Sequence, residues 1–374
     1  MSNMKEYKGL YAFHPGYFVK QIIDDAGYTQ DDFAIRLGVS SKVLSELVNG
    51  KTNLSREMAQ ALSSMLGISV EFWLGLQAKY TEKLLEIENL ERIEAQKPIL
   101  KLIDYKYFVQ NVCLENYRKA ADKVKALCTC LKISNLDVLT EEVRMSCYRI
   151  SSQSMTKKNA VAARAWLFFA LAKGSERRIV GHVDTDRLLS YVDEIRGMTI
   201  QGVMSSLPRI EDILSSCGVT FIYLPMLKEA KVSGAVKWSS DKQSVTLAIN
   251  DRSKMEDVFW FTLLHEIRHV IQRSYNRTYV SLDDGDENPV MDEQDRYNEQ
   301  DADAFAQNIL IPQSDYQKLL DTKDFSTRNI YKVADRLKIH PGIIAGRLAK
   351  DHFLDFRQIG KLRRKFSFEV NQES

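Results

Sequence analysis

From residue 14 to about 80 the apolar positions fall at helical spacing. Phe18, Ile22 and Ile23 form one set, Phe33, Ala34 and Leu37 a second, Val43, Leu44 and Leu47 a third, and Met58, Leu62, Met65 and Leu66 a fourth. Each set marks an amphipathic helix that must bury one face. The breaks between them carry glycine or a capping residue: Gly27-Tyr28-Thr29, Gly38-Val39-Ser40, Asn49-Gly50 and Gly67-Ile68-Ser69. This stretch therefore predicts a compact unit of about five short helices ending at Phe72-Trp73. Residues 81–200 stay helical in pattern, with a charged amphipathic stretch from Glu82 to Lys97 and an alanine-rich helix from Ala160 to Lys173.

The period then changes. Val219 to Leu224 is a continuous apolar run ending at Pro225, and Ala235–Trp238 and Val245–Ile249 flank a polar turn at Ser239–Gln243. These read as a strand and a hairpin. Ser253 and Glu256 fit an S-x-x-E capping box, predicting a helix from there to about Arg273. An acidic, loop-like stretch from Asp283 to Asp295 follows, then a helix from Asn298 to Leu310 that stops at Pro312. The remainder is helical and finishes in the basic run Lys361, Arg363, Arg364 and Lys365, for which a solvated tail is the simpler expectation and a phosphate contact the alternative. The predicted class is α+β, mainly α. It comprises a helical unit at 10–80, a helical middle region at 81–200, a domain with a small sheet at 201–350 and a basic tail at 351–374.

Composition narrows the choices. The chain has 374 residues, 44% hydrophobic and 27% charged, with a net charge of +2. No run approaches the ~20 apolar residues of a membrane span, and no secretory apolar segment follows the polar start, so no membrane partner is expected. Five cysteines (Cys113, Cys128, Cys130, Cys147 and Cys217) form no even framework, which fits a reducing cytoplasm. The Cys128-x-Cys130 pair lacks a second pair to complete a metal site and reads as helix thiols. His182, His340 and His352 have no metal-binding setting.

The segment from Gln30 to Gly50 reads as a helix-turn-helix. Ala34 is small enough for a second helix to cross closely, Gly38 suits a left-handed turn, Val39 plugs the core and Ser40 caps the next helix. That helix would present Ser41, Lys42, Ser45, Glu46 and Asn49 away from Val43, Leu44 and Leu47, the face that enters a major groove. Gln30, Lys51 and Thr52 stand where phosphate contacts are expected. The alternative is a plain helical bundle with a solvated polar face. Residues 1–80 hold eight basic and eight acidic side chains, so binding would rest on the local cations Lys42, Lys51 and Arg56, and a monomer would bind weakly. His14-Pro15-Gly16, Leu37–Ser40, Leu44–Leu47, Asn49–Lys51 and Phe72–Gln77 resemble the HigA-type antitoxin branch of the Cro/C1 (XRE) regulators.

His265-Glu266-x-x-His269 places two imidazoles at i and i+4, on one helix face and near enough to share a Zn²⁺ ion. Zinc leaves a position for water, which Glu266 could reach as general base. Thirty residues after His269 comes Glu299, with Asp303 one turn further on. Glu299 is the predicted third ligand, Asp301 its rival. Asp303 is the predicted partner for the far nitrogen of a liganding histidine. Residue type alone leaves iron or manganese open.

Phe261–His269, Glu299-x-x-Ala302-Asp303-x-Phe305-Ala306, Ile309–Pro312, the 234–249 hairpin and Ala345–Leu348 together resemble the ImmA/IrrE family of gluzincin-like metallopeptidases. Two departures stand out. Arg268 replaces a frequent glycine and could crowd or charge the cleft, and Asp303 stands where asparagine is common. The stretch Ala334–Leu348 echoes the spacing of the first helix-turn-helix, but a helix pair packed on the peptidase domain is the preferred reading. The resemblance implies a DNA-binding regulator, antitoxin-like and dimeric on its operator, carrying a zinc metalloendopeptidase. Its substrate would be a toxin or repressor partner, or its own linker near residues 80–100; extended along the strand of the 234–249 hairpin nearest the active-site helix, it would add to the sheet edge. The alternative is a regulator or antitoxin whose metal site is sensory or structural.

Overall fold

The computed structural model describes residues 3–112, 114–140, 156–179, 181–273, 275, 278–282 and 293–368. Cys113, Cys147 and most of the expected acidic loop lie outside these. The described chain divides into two compact units, Met1–Ala95 and Gln96–Ser374.

The first unit opens with an antiparallel hairpin, β1 (Met4–Tyr7) and β2 (Leu10–Phe13), which the polar start of the sequence did not suggest. Helices α1 (Pro15–Asp25), α2 (Gln30–Leu37), α3 (Ser41–Val48) and α4 (Arg56–Leu66) follow. Each has the cap its sequence calls for: His14, Thr29, Ser40 and Ser55 all accept a hydrogen bond from a first-turn backbone N–H. Gly38 closes α2 at φ 76°, the left-handed geometry that lets the chain turn directly into α3. Phe33, Ala34, Leu37, Leu44, Leu47, Leu62 and Trp73 pool into one core. The expected fifth helix is α5, Val70–Leu100, which runs without a break into the charged Glu82–Lys97 stretch expected to be a linker helix. A protease groove that pairs with extended backbone cannot take this segment while it is helical. The self-cleavage expectation at 80–100 therefore meets a helix rather than an accessible strand.

The second unit contains α6 (Tyr105–Val112), α7 (Ala120–Leu131), α8 (Lys157–Glu176), α9 (Thr185–Ser190), α10 (Val192–Gly197) and α11 (Val203–Ser216) ahead of the sheet. Strands β3 (Val219–Leu224), β4 (Val232–Trp238), β5 (Val245–Asn250) and β6 (Thr278–Leu282) form one sheet in the order β3-β5-β4-β6. β3 runs parallel to β5, and the other pairs are antiparallel. Both strands of the expected hairpin are therefore interior: β5 lies between β3 and β4, and β6 covers the outer side of β4. The expectation that a substrate adds to the sheet edge along one strand of this hairpin is overturned, because β6, absent from the sequence reading, pairs with β4, and β3 pairs with β5.

Alternation along the strands sends side chains to opposite faces. Val236, Trp238, Val245, Leu247 and Ile249 join the core under α12 (Glu256–Ile271). Thr246, between them, meets α8 so closely that a Cβ on Gly174 would lie 2.6 Å from its methyl group. The sheet is thus sandwiched, which explains why α8 is buried nearly all round and carries so much alanine.

After the sheet come α13 (Glu293–Leu310), α14 (Gln313–Thr322), α15 (Thr327–Leu337) and α16 (Pro341–Lys350). α13 starts several residues earlier than Asn298. α15 and α16 bury Ile330, Val333, Ile343, Ile344 and Leu348 in the same core as α12, the packed helix pair favoured over a second reader helix.

Two expectations about α12's beginning are corrected. Its N-cap is Met255 without a side-chain cap, and the Ser253 hydroxyl instead accepts from Met255 N. The reason lies in the C-terminal segment: Glu256 N donates to Arg364 O, so backbone from far along the chain satisfies the helix end. Nor are Arg363 and Arg364 of the basic run solvated. Arg363 pairs with Asp257 at 2.8 Å, both side chains at most 10% exposed, and Arg364 pairs with Glu256 at 2.9 Å. Among the described residues, no helix is long and apolar enough to cross a membrane.

Candidate metal centre and candidate nucleic-acid interface

On α12, His265 and His269 stand one turn apart and both are buried. Their Nε2 atoms are 3.0 Å from each other and converge on Glu299 of α13, at 3.2 Å from His265 and 3.4 Å from His269. These three are the His, Cys, Asp and Glu group among the described residues whose donor atoms gather within 4.8 Å and could hold a metal ion.

The surroundings fix the imidazoles for that task. His265 Nδ1 donates to Asp303 Oδ1 at 2.9 Å, as the sequence suggested, because an ionised carboxylate can only accept. His269 Nδ1 lies 2.8 Å from Gln272 Oε1. The Gln272 amide is oriented by two acceptors, since its Nε2 donates to Asn298 O at 2.8 Å and to Asp301 Oδ2 at 2.9 Å. Its oxygen must then accept from His269. Nδ1 of each ring is thus held by an acceptor, so that with a metal bound both rings would keep hydrogen on Nδ1 and give the Nε2 lone pair to the ion, the state a metal ligand requires. Glu299 Oε1 faces His269 without a hydrogen bond among the described residues. Two imidazole nitrogens and a carboxylate oxygen, oriented by partners on the far side, fit a divalent cation of the zinc type.

Gln272 was missed in the sequence. It stands three residues after His269, on the same helix face, and that spacing was the available signal. Asp301, the rival ligand, is engaged elsewhere: Arg268 Nε donates to it at 2.7 Å, and the guanidinium lies 5.2 Å from the Phe305 ring centre. Arg268 is therefore folded onto Asp301 and Phe305 rather than into the cleft, where it was expected to crowd.

Electrostatics follow from the geometry. Burial alone would lower the His265 imidazole, but hydrogen bonds to Asp303 and Glu299 and the charge of Glu266 outweigh it and bring it to about 10. Burial would raise Glu299, yet the two histidines hold it down at about 2. The cluster is built to keep positive charge between its rings and its carboxylate.

Glu266 is fully buried. Its carboxylate lies over Gly234 of β4, where any Cβ would stand 2.3 Å from Oε1. Gly234 shares a strand face with Val236 and Trp238, the face turned to α12, so its lack of a side chain makes the room that Glu266 occupies. The sequence could not reveal this, since it depends on how strand and helix register.

A cavity of about 590 Å³ opens beside His265, Glu299 and Asp303 and extends between α12 and α16.

In the first unit, α3 presents Ser41 and Lys42 exposed in its first turn, with Ser45 and Glu46 half-buried further along. The Ser40 hydroxyl accepts from Val43 N and so serves the cap. Asn49 ends the helix, its amide donating to Ser45 O at 2.7 Å and to the Ser45 hydroxyl at 3.3 Å. Gln30, Lys51 and Thr52 are exposed at the neighbouring helix ends. Val43 departs from expectation: it is 43% exposed and belongs with the polar face, not with Leu44 and Leu47. Cys128 and Cys130 lie on α7, half-buried, and burial pushes the Cys130 thiol up to about 11. His340, like His14, caps a helix, accepting from Gly342 N at 3.1 Å.

Residues 19–73 match the Helix-turn-helix family, and residues 215–349 match the IrrE N-terminal-like domain, a peptidase family. The chain is 44% identical over 68 residues to Virulence-associated protein A' of Dichelobacter nodosus, covering 18% of this chain and 59% of that protein. It therefore spans little more than half of that relative. It is 30% identical over 86 residues to the uncharacterized HTH-type transcriptional regulator YddM of Escherichia coli K12, covering 22% of this chain and 92% of that one. Among solved structures, a putative antidote protein of a plasmid maintenance system from Nostoc punctiforme is 31% identical with a TM-score of 0.22, covering 22% of this chain and 91% of its own. An addiction module antidote protein of the HigA family from Coxiella burnetii is 23% identical with a TM-score of 0.21, covering 23% and 94%.

Proposed function

Because the chain belongs to the helix-turn-helix regulators and carries an IrrE-type peptidase-family domain, we propose that it is a DNA-binding, antitoxin-like cytoplasmic regulator whose C-terminal domain is a zinc-dependent endopeptidase acting on a partner protein. The observation that carries the enzymatic half is the placement of Glu266. A purely structural metal site has no use for a fourth, fully buried carboxylate directly after a ligand histidine, in space left by Gly234.

In this reading His265, His269 and Glu299 would hold zinc, and the ion would supply a Lewis acid for the scissile carbonyl. Glu266 takes the proton of the attacking water and delivers it to the leaving nitrogen. Asp303 and Gln272 keep the two imidazoles aimed. In the N-terminal unit, α3 enters the major groove with Ser41, Lys42, Ser45, Glu46 and Asn49 facing the bases, while Gln30, Ser40, Lys51 and Thr52 lie at the backbone. A homodimer supplies the second half-site, because one such module buries too little surface for tight specific binding.

The test compares wild type with Glu266→Gln. Both proteins are assayed for metal content, for binding to the gene's own upstream DNA, and for cleavage of co-incubated toxin or repressor partners by intact-mass spectrometry. Equal metal and equal DNA binding, with metal-dependent cleavage by wild type alone, is the expected outcome. If wild type cleaves nothing with metal bound, the enzymatic reading gives way to a sensory metal site.

A further inference from the structure

The two histidines of the metal cluster are steadied by different chemistry. His265 Nδ1 meets a carboxylate directly, Asp303 Oδ1 at 2.9 Å. His269 Nδ1 meets a neutral amide, Gln272 Oε1 at 2.8 Å. An ionised carboxylate offers acceptors only, whereas an amide can flip end for end and offer its NH2 instead. With nitrogen toward Nδ1, Gln272 would favour the ring form that carries hydrogen on Nε2, and that nitrogen then has no lone pair for a metal. The orientation of one amide therefore decides whether His269 can serve as a ligand.

That orientation is set from outside the cluster. Gln272 Nε2 donates to Asn298 O at 2.8 Å and to Asp301 Oδ2 at 2.9 Å. Asp301 is in turn placed by Arg268, whose guanidinium grips both carboxylate oxygens, Nε to Oδ2 at 2.7 Å and Nη2 to Oδ1 at 3.2 Å. The same guanidinium lies 5.2 Å from the Phe305 ring centre. Asp301 and Phe305 stand four residues apart on α13, so they are neighbours on one face and make a slot for the Arg268 side chain from α12. Arginine suits this slot, because its planar fork matches a carboxylate and stacks on a ring. A guanidinium can only donate and a carboxylate can only accept, so the outer end of the chain Arg268, Asp301, Gln272, His269 gives it one direction.

We propose that Arg268 is a positioning residue for the metal centre: through Asp301 it holds the Gln272 amide with oxygen toward His269, and so leaves His269 Nε2 for the ion. The inference rests on His265, His269 and Glu299 as the ligands and does not require proteolysis. Asn298 O still holds the amide when Arg268 is removed, so the expected loss lies at the lower end of the ~10–100-fold that partners of liganding histidines contribute.

The test measures zinc affinity of the full-length protein by competition with a colorimetric chelator, with the fold of each metal-free variant checked by circular dichroism. The Arg268 and Asp301 side chains are each 28% exposed, so substitutions there should fold. Arg268→Ala should bind zinc ~10-fold more weakly, and Arg268→Lys, which keeps the charge but not the fork, should recover part of that loss. The decisive comparison is between two backgrounds. In Gln272→Ala the relay has lost its last link, and adding Arg268→Ala should change affinity by less than ~2-fold. In Asp303→Ala, which loosens the other ring, adding Arg268→Ala should cost the full ~10-fold. Repeating both with Arg268→Lys gives the same comparison on a milder change. An Arg268 that only braced the two helices would cost the same in both backgrounds, and that result overturns the proposal, as does wild-type affinity in Arg268→Ala. The expected pattern in a protein that cleaves nothing supports the relay and removes the endopeptidase. A wild type that holds no zinc removes the metal centre and the relay with it.

Discussion

Gly234 and Glu266 compete for one volume, and the chain resolves the competition by omitting a side chain on the strand. Gly234→Ala would place a methyl group within 2.3 Å of the Glu266 carboxylate, which must then move. We expect zinc content to stay near wild type, because the atoms nearest a Cβ at residue 234 belong to Glu266 and not to the three candidate ligands. Peptide cleavage should fall by ~10²-fold or more, the usual worth of a positioned general base. Gly197→Ala is the control, since its Cβ would meet nothing within 4 Å and helical φ suits alanine. Equal activity in both variants would remove Glu266 from its assigned role. Ligand choice is testable at the same scale. Glu299→Ala should strip the metal, whereas Asp301→Ala should weaken it ~10–100-fold by loosening Gln272 and through it His269. Metal analysis after dialysis against a graded chelator separates the two, and the reverse order would make Asp301 the ligand.

At the scale of elements, caps decide much of the stability. His340 accepts from Gly342 N through Nδ1, so its neutral form is the one the fold uses. Burial, aided by the charge of Arg364, pushes it down to about 4 from 6.5. An unfolded chain then binds more protons than the folded one between those values. The stability contributed by neutral His340 is present above pH 6.5 and is lost as pH falls toward 4. His340→Asn keeps a capping oxygen without the titration and should flatten this part of the profile by about 1 kcal/mol, discounted for the partial exposure of the ring. Urea midpoints of the two proteins across this pH range provide the check, and parallel curves would refute it. Elements of this kind also mark what the sequence could and could not tell. The caps Thr29 and Ser40, the turn at Gly38 and the i, i+4 histidines are local, and local spacing was enough to read them. The Ser253 cap failed because Arg364 O, more than a hundred residues away, takes the Glu256 N–H. β6 failed because a strand is defined by its partner, and its pairing with β4 is not written in its own residues. Gln272 lay within local reach, three residues from His269. Gly234 did not, since helix and strand meet there only in the folded sheet.

At the scale of the whole chain, the two units each close their own core. Leu44, Leu47, Leu62 and Trp73 serve the first; Trp260, Leu263, Leu348 and their neighbours serve the second. Substitutions that act inside separate cores and share no partner usually add. Ser45→Trp puts a large ring on the half-buried face of α3, next to the Asn49 amide that Ser45 now accepts from. In the proposed complex that ring would hold α3 out of the groove. Operator affinity should drop at least ~10²-fold, a loss of two or more good base contacts, while zinc content and cleavage of a peptide substrate stay unchanged. The residual binding should keep a steep dependence on salt, because phosphate contacts from Lys51 and its neighbours remain. Glu266→Gln should do the converse, and the double variant should show the two losses side by side. Gel-shift titrations at several salt concentrations, run beside the peptide assay on all four proteins, measure this. Unchanged operator affinity in Ser45→Trp would end the assignment of α3 as the reader. An operator affinity that differs more than ~twofold between wild type and Glu266→Gln would show that the chemistry of one unit is felt by the other, so that the regulator senses its own peptidase site without cutting anything.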